Sequence, residues 1–268
     1  MTYYRFDDVD QFDSGSCIAY LDYARRMQEV RGIKKRSIEL LQIKSGHQVL
    51  EVGCGTGDDA YELARLTGSS GRVAAIDSSR AMIEEARYRW GSIAKNTDFE
   101  VANVYSLPFH AERFHACRAD RVLHLLEFPV AALKEVARVT RFGGRIVVSE
   151  PDWSSLSVVG GIIELSRKIL EFNAQRASRS ASIGSRLAEL FADSLVNFEH
   201  SLEETIVIRD MKVANPVMNL ESVAGRAVAE GVIEQDVAID WLDALWKASE
   251  RGEFACSMSG YTAVGVRR

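Results

Sequence analysis

The sequence predicts an α/β fold in which a parallel sheet is covered by helices on both faces. Three observations carry that reading. Short apolar segments alternate with amphipathic stretches from about residue 46 to residue 150; the first of them runs straight into the glycine-rich turn Gly53-Cys54-Gly55-Thr56-Gly57; and the second ends on a carboxylate, Asp77. Parallel strands need a crossover between them, and crossover helices bury both faces of the sheet, so the strands read as short continuous apolar runs.

The elements follow in order. Residues from about 16 to 42 read as helix, with Ile18, Leu21, Met27, Ile33, Ile38 and Leu41 near the helical period and Gly32 as a break. Gln48 to Val52 is the first strand, Asp58 to Leu66 a helix, and Arg72 to Asp77 the second strand. A helix over about 79–95 leads to strands around Phe99 to Ala102 and Phe114 to Ala119. The next helix opens on Pro129, where a missing N–H costs little, carries Val130, Leu133, Val136, Ala137 and Thr140 on one face, and is expected to stop at Gly143-Gly144. Arg145 to Ser149 is the fifth strand, closed by Glu150-Pro151. Beyond Trp153 the pattern changes to helical stretches over about 160–193 and 217–250, the second interrupted at Gly231, around a strand near 198–209 that pairs with a final strand over about 256–266.

Composition narrows the function classes. The chain has 268 residues, 47% hydrophobic and 26% charged, enough for one large domain or a domain with a cap, and one domain with helical additions is the favoured organisation. No apolar run approaches membrane-spanning length and the first residues lack the order of a signal peptide, so a cytoplasmic protein without membrane association is expected. The four cysteines, Cys17, Cys54, Cys117 and Cys256, are scattered, which indicates neither a disulfide framework nor a thiolate metal site. A net charge of −5 argues against a nucleic-acid partner, and the basic cluster Arg31, Lys34, Lys35, Arg36 is read as a solvated helix face.

The glycine-rich turn lets the backbone approach a ligand and aims free helix N–H groups at it. Its glycines stand at alternate positions, 53, 55 and 57, and position 58 is Asp, whereas a dinucleotide site spaces them Gly-x-Gly-x-x-Gly. Asp58 and Asp59 would also repel a pyrophosphate at that helix start; a zwitterionic amino-acid moiety with a sulfonium centre is more compatible. Asp77, 20 residues after Gly57 at the carboxyl end of the second strand, suits the two hydroxyls of a ribose, and alone would be read equally as a helix N-terminal charge.

Val49-Leu50-Glu51-Val52-Gly53-Cys54-Gly55-Thr56-Gly57, Ala75-Ile76-Asp77, Ser106-Leu107-Pro108-Phe109, Arg121 to Leu125, and Leu133 to Val139 through Gly143-Gly144-Arg145 stand in the order seen in one family. Over about residues 35 to 153 the chain resembles the small-molecule class I S-adenosylmethionine-dependent methyltransferases of the ubiquinone/menaquinone-biosynthesis-like type, methyltransferase type 11. The resemblance implies a Rossmann-like seven-stranded, mostly parallel sheet with an antiparallel last strand, helices on both faces, and helical N-terminal and cap additions. It divides the chain into an N-terminal helical lid over 1–45 and a catalytic domain over 46–268, with cap insertions at about 154–197 and 210–252.

The implied cofactor is S-adenosyl-L-methionine, leaving as S-adenosyl-L-homocysteine. Glu51, with the backbone of Gly53 and Gly55 in the loop that also holds Cys54 and Gly57, is implied at the methionine end, Asp77 at the ribose, and Ser78 with Met82 at the adenine face. Asn103, where the family usually has Asp, is implied at the adenine amino group with the Val104 N–H helping to hold the adenine, and Arg118 and Ala119 at the border of the methionine end. An Asn carbonyl still accepts from an amino group, so weakened adenine recognition is expected. His115 replaces another common Asp and is read as structural.

Methyl transfer from a sulfonium is an in-line displacement, for which placement and water exclusion supply much of the rate. A hydroxyl or ammonium acceptor also needs a base, and His124, after the fourth strand at the open end of the sheet, is the preferred residue; lining the donor without proton transfer is the competing role. Glu150, Asp152 and Trp153 are expected near the acceptor, with Asp152 equally a cap of the next segment. The N-terminal aromatics Tyr3, Tyr4, Phe6, Phe12, Tyr20 and Tyr23 read as a lid over donor and acceptor or as core packing, whereas Trp241, Leu242, Leu245 and Trp246 read as packing. The expected activity moves a methyl group to an oxygen, nitrogen or carbon atom of a small metabolite or natural product, by a monomer or homodimer without metal. A macromolecular acceptor, or donor binding without transfer, are the alternatives.

Overall fold

In the computed structural model of the chain, residues 6, 8–11, 13–176 and 182–268 are described; Tyr3, Tyr4 and Phe12 of the aromatic group lie outside them. Two compact units emerge. One comprises Tyr4–Glu150, Ser185–Leu202 and Tyr261–Arg268, the other Pro151–Gly184 and Glu203–Gly260.

The first unit opens with two helices, α1 (Ser14–Ala24) and α2 (Gln28–Leu40), where the periodicity predicted one helix broken at Gly32. The break falls at Arg25–Met27, and Gly32 lies inside α2. Asp13 caps α1 by accepting from the Ser16 N–H, which starts that helix two residues before its apolar pattern. Then come β1 (Gln48–Val52), α3 (Asp58–Thr67), β2 (Arg72–Asp77), α4 (Arg80–Trp90), β3 (Thr97–Val101), β4 (Phe114–Asp120), a 3₁₀ turn at Leu123–Leu125, α5 (Pro129–Val139) and β5 (Thr140–Pro151). Gly143-Gly144 does not stop α5. The helix ends at Val139, and the two glycines lie in a register break of β5, where Phe114 pairs with Thr140 but Ala116 pairs with Arg145.

The second unit contains a 3₁₀ turn (Trp153–Ser155), β6 (Ser157–Val159), α6 (Ile163–Arg176), α8 (Met211–Met218), α9 (Leu220–Ala229) and α10 (Gln235–Glu250), while α7 (Leu187–Ala192) belongs to the first. Two long strands, β7 (Val196–Ile208) and β8 (Ala255–Arg267), contribute to both. The strand order is β3-β2-β1-β4-β5-β8-β6 with β7 on β8, eight strands where seven were expected. The short β6, antiparallel to β8, lay unrecognised beside Trp153 because three residues carry no readable period.

Neighbouring strands from β3 to β5 are parallel. Val49, Val73, Ala75, Phe99, Ala116 and Val147 form one core with Ala60, Leu63 and Ala64 of α3 and Ile83 and Ala86 of α4. The alternate residues Leu50, Ala74, Ile76, Cys117 and Ala119 are buried as well, so both faces of the sheet are covered. In the second unit Trp241 is fully buried on α10 and donates from Nε1 to Ser166 Oγ at 2.8 Å, a packing role that satisfies its one polar group.

Candidate functional site

The carboxyl ends of β1, β2, β4 and β5 carry the site. After Val52 the chain turns through Gly53, Gly55 and Gly57, all at positive φ (67°, 50° and 80°). The turn is pinned by Cys54 N–H donating to Ile76 O and by Gly57 N–H donating to Cys54 O, each at 2.9 Å. A Cβ on Gly53 would stand 2.4 Å from Val122 Cγ2, and one on Gly57 would stand 2.8 Å from Phe99 and 2.9 Å from Ala86. Gly57 therefore serves the packing of α3 on its neighbours, while Gly53 brings the turn against Val122, two residues beyond the end of β4.

Asp77 ends β2 with both carboxylate oxygens engaged by backbone: Oδ2 accepts from Gly55 N–H and Oδ1 from Ser79 N–H, each at 2.9 Å. A carboxylate has about four acceptor sites over its two oxygens, so the group can still accept from a ribose hydroxyl. Burial raises its pKa and the Asp10 carboxylate adds to that, against the backbone N–H groups of Ser79, Gly55 and Ser78, which lower it. Next to it, Ser79 caps α4, and Asp10 of the N-terminal segment accepts from Ser79 Oγ, Arg80 N–H and Ala81 N–H. Sequence reasoning missed Asp10, a lone acidic residue with no periodic context.

Glu51 lies opposite Arg118 across the β1–β4 pair, and both are buried. Arg118 also reaches Asp59 at 3.1 Å and Asp120 at 3.4 Å and donates from Nε to Ser37 Oγ at 3.0 Å. Lys34 of α2 pairs with Asp59 and, at 2.8 Å, with Asp120. Lys34 is thus part of a largely buried ionic network, while Arg31, Lys35 and Arg36 form the exposed face expected of the cluster. Asp58 pairs with Arg25 and approaches Arg89 to 3.7 Å. With both carboxylates at the start of α3 paired, glycine spacing rather than charge repulsion is what argues against a pyrophosphate.

Burial pushes the Glu51 carboxyl up to about 8, with Arg118 pulling the other way. Burial also raises Asp59, but Lys34 and Arg118 more than offset it, leaving its pKa lowered. Glu51 Oε2 has no hydrogen-bond partner among the described residues. A buried carboxylate oxygen with nothing to accept from is costly and is relieved by a proton or an added cation.

Of the residues expected at the adenine end, Ser78 is exposed, whereas Met82 is buried with Val9 and Cys17 in a small cluster flanked by Phe6, Ile18 and Leu21. Asn103 Oδ1 accepts from Tyr105 N–H at 2.9 Å, a local turn that leaves one lone pair, and Val104 is buried. Leu21 lies on the loop, 3.1 Å from where a Gly55 Cβ would be, so α1 packs over the glycine turn. Tyr20 and Tyr23 on α1 are half-buried, and Tyr20 meets Phe6 edge-on at 5.4 Å.

His124 and Glu150 come together. His124 Nδ1 is 2.7 Å from Glu150 Oε2, and Glu150 Oε1 accepts from Val122 N–H at 2.9 Å and Leu123 N–H at 2.6 Å. The His124 side chain remains 16% exposed while that of Glu150 is fully buried. Glu150 therefore braces the turn after β4 rather than standing open to an acceptor. Asp152 and Trp153 belong to the second unit, where Asp152 caps the 3₁₀ turn through Ser154 N–H at 3.0 Å. No group of three or more His, Cys, Asp or Glu able to hold a metal occurs among the described residues, nor any helix long and apolar enough to cross a membrane.

A family model described as a methyltransferase domain matches residues 43–192. A protein of transposon TN4556 from Streptomyces fradiae, described as uncharacterized, is 33% identical over 92% of this chain and 70% of its own length. The ubiquinone/menaquinone biosynthesis C-methyltransferase UbiE of Cellvibrio japonicus is 35% identical over 119 residues, 44% of this chain and 48% of that protein, so the match spans about half of that relative. Among solved structures, geranyl diphosphate C-methyltransferase from Streptomyces coelicolor, in complex with Mg²⁺, geranyl diphosphate and S-adenosyl-L-homocysteine, is similar in fold with a TM-score of 0.53 at 13% identity, over 89% of this chain and 79% of that one.

Proposed function

The chain belongs to the class I S-adenosylmethionine-dependent methyltransferases, and from that premise we propose that it methylates an oxygen or nitrogen atom of a small metabolite, with carbon the remaining choice of atom. The observation that carries the donor assignment is the pairing of two carboxylates around one glycine turn: the buried Glu51 with an unpartnered oxygen, and the part-buried Asp77 held by backbone N–H groups at the end of β2. These fit the two polar ends of S-adenosylmethionine, its ammonium and its ribose. The backbone of Gly53 and Gly55 would take the carboxylate end, and Ser78, Met82, Asn103 and Val104 the adenine. When bound, the donor supplies a methyl carbon made electrophilic by a sulfonium.

The remaining chemistry falls to this chain's residues. Leu21 packs over the turn, Arg118 fixes the Glu51 carboxylate from the neighbouring strand, and His124 offers an imidazole two residues after Val122, which stands against Gly53. We assign His124 as the base that takes the acceptor's proton. The net charge of −5 favours a small acceptor over a polyanionic one.

Calorimetry with S-adenosylhomocysteine tests the donor site. Asp77→Ala is expected to weaken binding by roughly 10- to 100-fold through loss of hydrogen bonds to a charged group. Unchanged affinity would remove the ribose assignment, and tight binding without transfer to any member of a broad acceptor panel would remove the small-metabolite one.

A further inference from the structure

Glu150 has a donor on every side. Val122, Leu123 and His124 all present backbone N–H groups to it, the last at 3.4 Å, and the fourth contact is His124 Nδ1. A carboxylate so surrounded is acceptor-only, so Nδ1 must carry the hydrogen of that 2.7 Å contact. A neutral imidazole with its proton on Nδ1 has a bare lone pair on Nε2. Unassisted, a histidine in water favours the opposite tautomer, so the state is imposed by its partner.

We propose that Glu150 is a positioning residue that locks His124 as the Nδ1–H tautomer, so that Nε2 serves as proton acceptor for a substrate hydroxyl. This rests on the reading of His124 as the base. A hydroxyl is the acceptor that needs it most, because a neutral oxygen is a poor nucleophile until its proton leaves, whereas a neutral amine already holds a free pair. The balance closes within the named groups. The O–H proton passes to Nε2, the oxygen pair bonds to the transferred methyl carbon, and the pair of the broken carbon–sulfur bond stays on sulfur. The resulting imidazolium faces the buried Glu150 carboxylate, which compensates its charge. The same carboxylate holds the turn carrying Val122, which stands against Gly53, so one side chain sets both the tautomer and the placement of the base beside the donor loop.

The test is ¹⁵N NMR of the histidine rings in the full chain, with and without Glu150→Gln. In Glu150→Gln the amide oxygen can still accept from Val122 and Leu123 while its NH₂ faces Nδ1 and donates, driving the ring proton to Nε2. The expected wild-type spectrum has a protonated Nδ1 and an unprotonated Nε2 for His124, reversed in the variant, with kcat on the hydroxyl acceptor found by the panel lowered by roughly 10²- to 10⁴-fold and S-adenosylhomocysteine affinity within about twofold. The wild-type spectrum is decisive even if the variant fails to fold: a proton on Nε2 overturns the proposal. Reversal of the tautomer with unchanged kcat keeps Glu150 as the residue that orients the ring and overturns His124 as the base.

Discussion

Histidines stand at both ends of the same parallel strands, and their Nδ1 atoms do opposite things. At the amino ends, His115 Nδ1 accepts from Gln48 N–H at 3.1 Å and His47 Nδ1 accepts from Lys44 N–H at 3.3 Å, with the two rings stacked at a centroid distance of 4.5 Å. At the carboxyl ends, His124 Nδ1 faces a carboxylate. The first arrangement spends the lone pair of each ring on the backbone and leaves Nε2 protonated; the second spends the hydrogen and leaves Nε2 bare. The residue type says nothing about which occurs. The partner of Nδ1 decides whether a histidine holds a sheet together or accepts a proton.

The contrast is broken most severely by His124→Ala. Turnover is expected to fall by roughly 10²- to 10⁴-fold, the range general-base removal commonly costs, with S-adenosylhomocysteine affinity unchanged. Steady-state kinetics over a range of pH checks it, and normal turnover throughout would return His124 to a lining role.

How much of this could be read from residue order differs between the two ends of the site. The turn Glu51 to Gly57 and the strand-ending Asp77 were legible because backbone geometry demands glycine and a strand end places its last side chain toward the ligand face. The strands from β1 to β5 were legible because burial on both faces leaves apolar runs. Lys34 was not: its partners Asp59 and Asp120 lie 25 and 86 residues away, and a helix carrying three other basic residues gives no sign of which one turns inward. Asp10 capping α4 from 69 residues upstream was hidden for the same reason, as was the partnership of Glu150 with a histidine 26 residues earlier. Long-range polar pairs leave no local pattern.

Glu51 extends the comparison from rings to carboxylates, because here too the unspent atom, Oε2, stands at the carboxyl ends of the strands. Burial holds its pKa up at about 8, above its ordinary 4.5, so the ligand-free protein keeps a proton there that the donor's ammonium must displace. Affinity for S-adenosylhomocysteine is expected to rise by up to about tenfold per pH unit below about 8 and then flatten, with proton release seen by calorimetry in two buffers of different ionisation enthalpy. The sign for stability is the reverse. A raised folded pKa contributes stability that is complete below 4.5 and lost as pH rises through about 8, and Glu51→Gln should lack that loss.

The smallest effect belongs to the amino-end pair. Burial, then Arg141, lowers the pKa of both His47 and His115 below 6.5; Lys44 adds to it for His47, and His47 for His115. Between the lowered folded values and 6.5 the unfolded chain binds more protons, so stability rises with pH across that window, is complete above 6.5, and is lost as pH falls through it. Protonating His115 also removes the acceptor of the Gln48 N–H at the start of β1. His115→Asn, whose amide oxygen can take that N–H without titrating, should flatten the acid side of a melting-temperature profile by on the order of 2–4 °C. An unchanged acid slope would show that the stacked rings carry no linked protons, and the distinction between the two ends would then rest on the His124 tautomer alone.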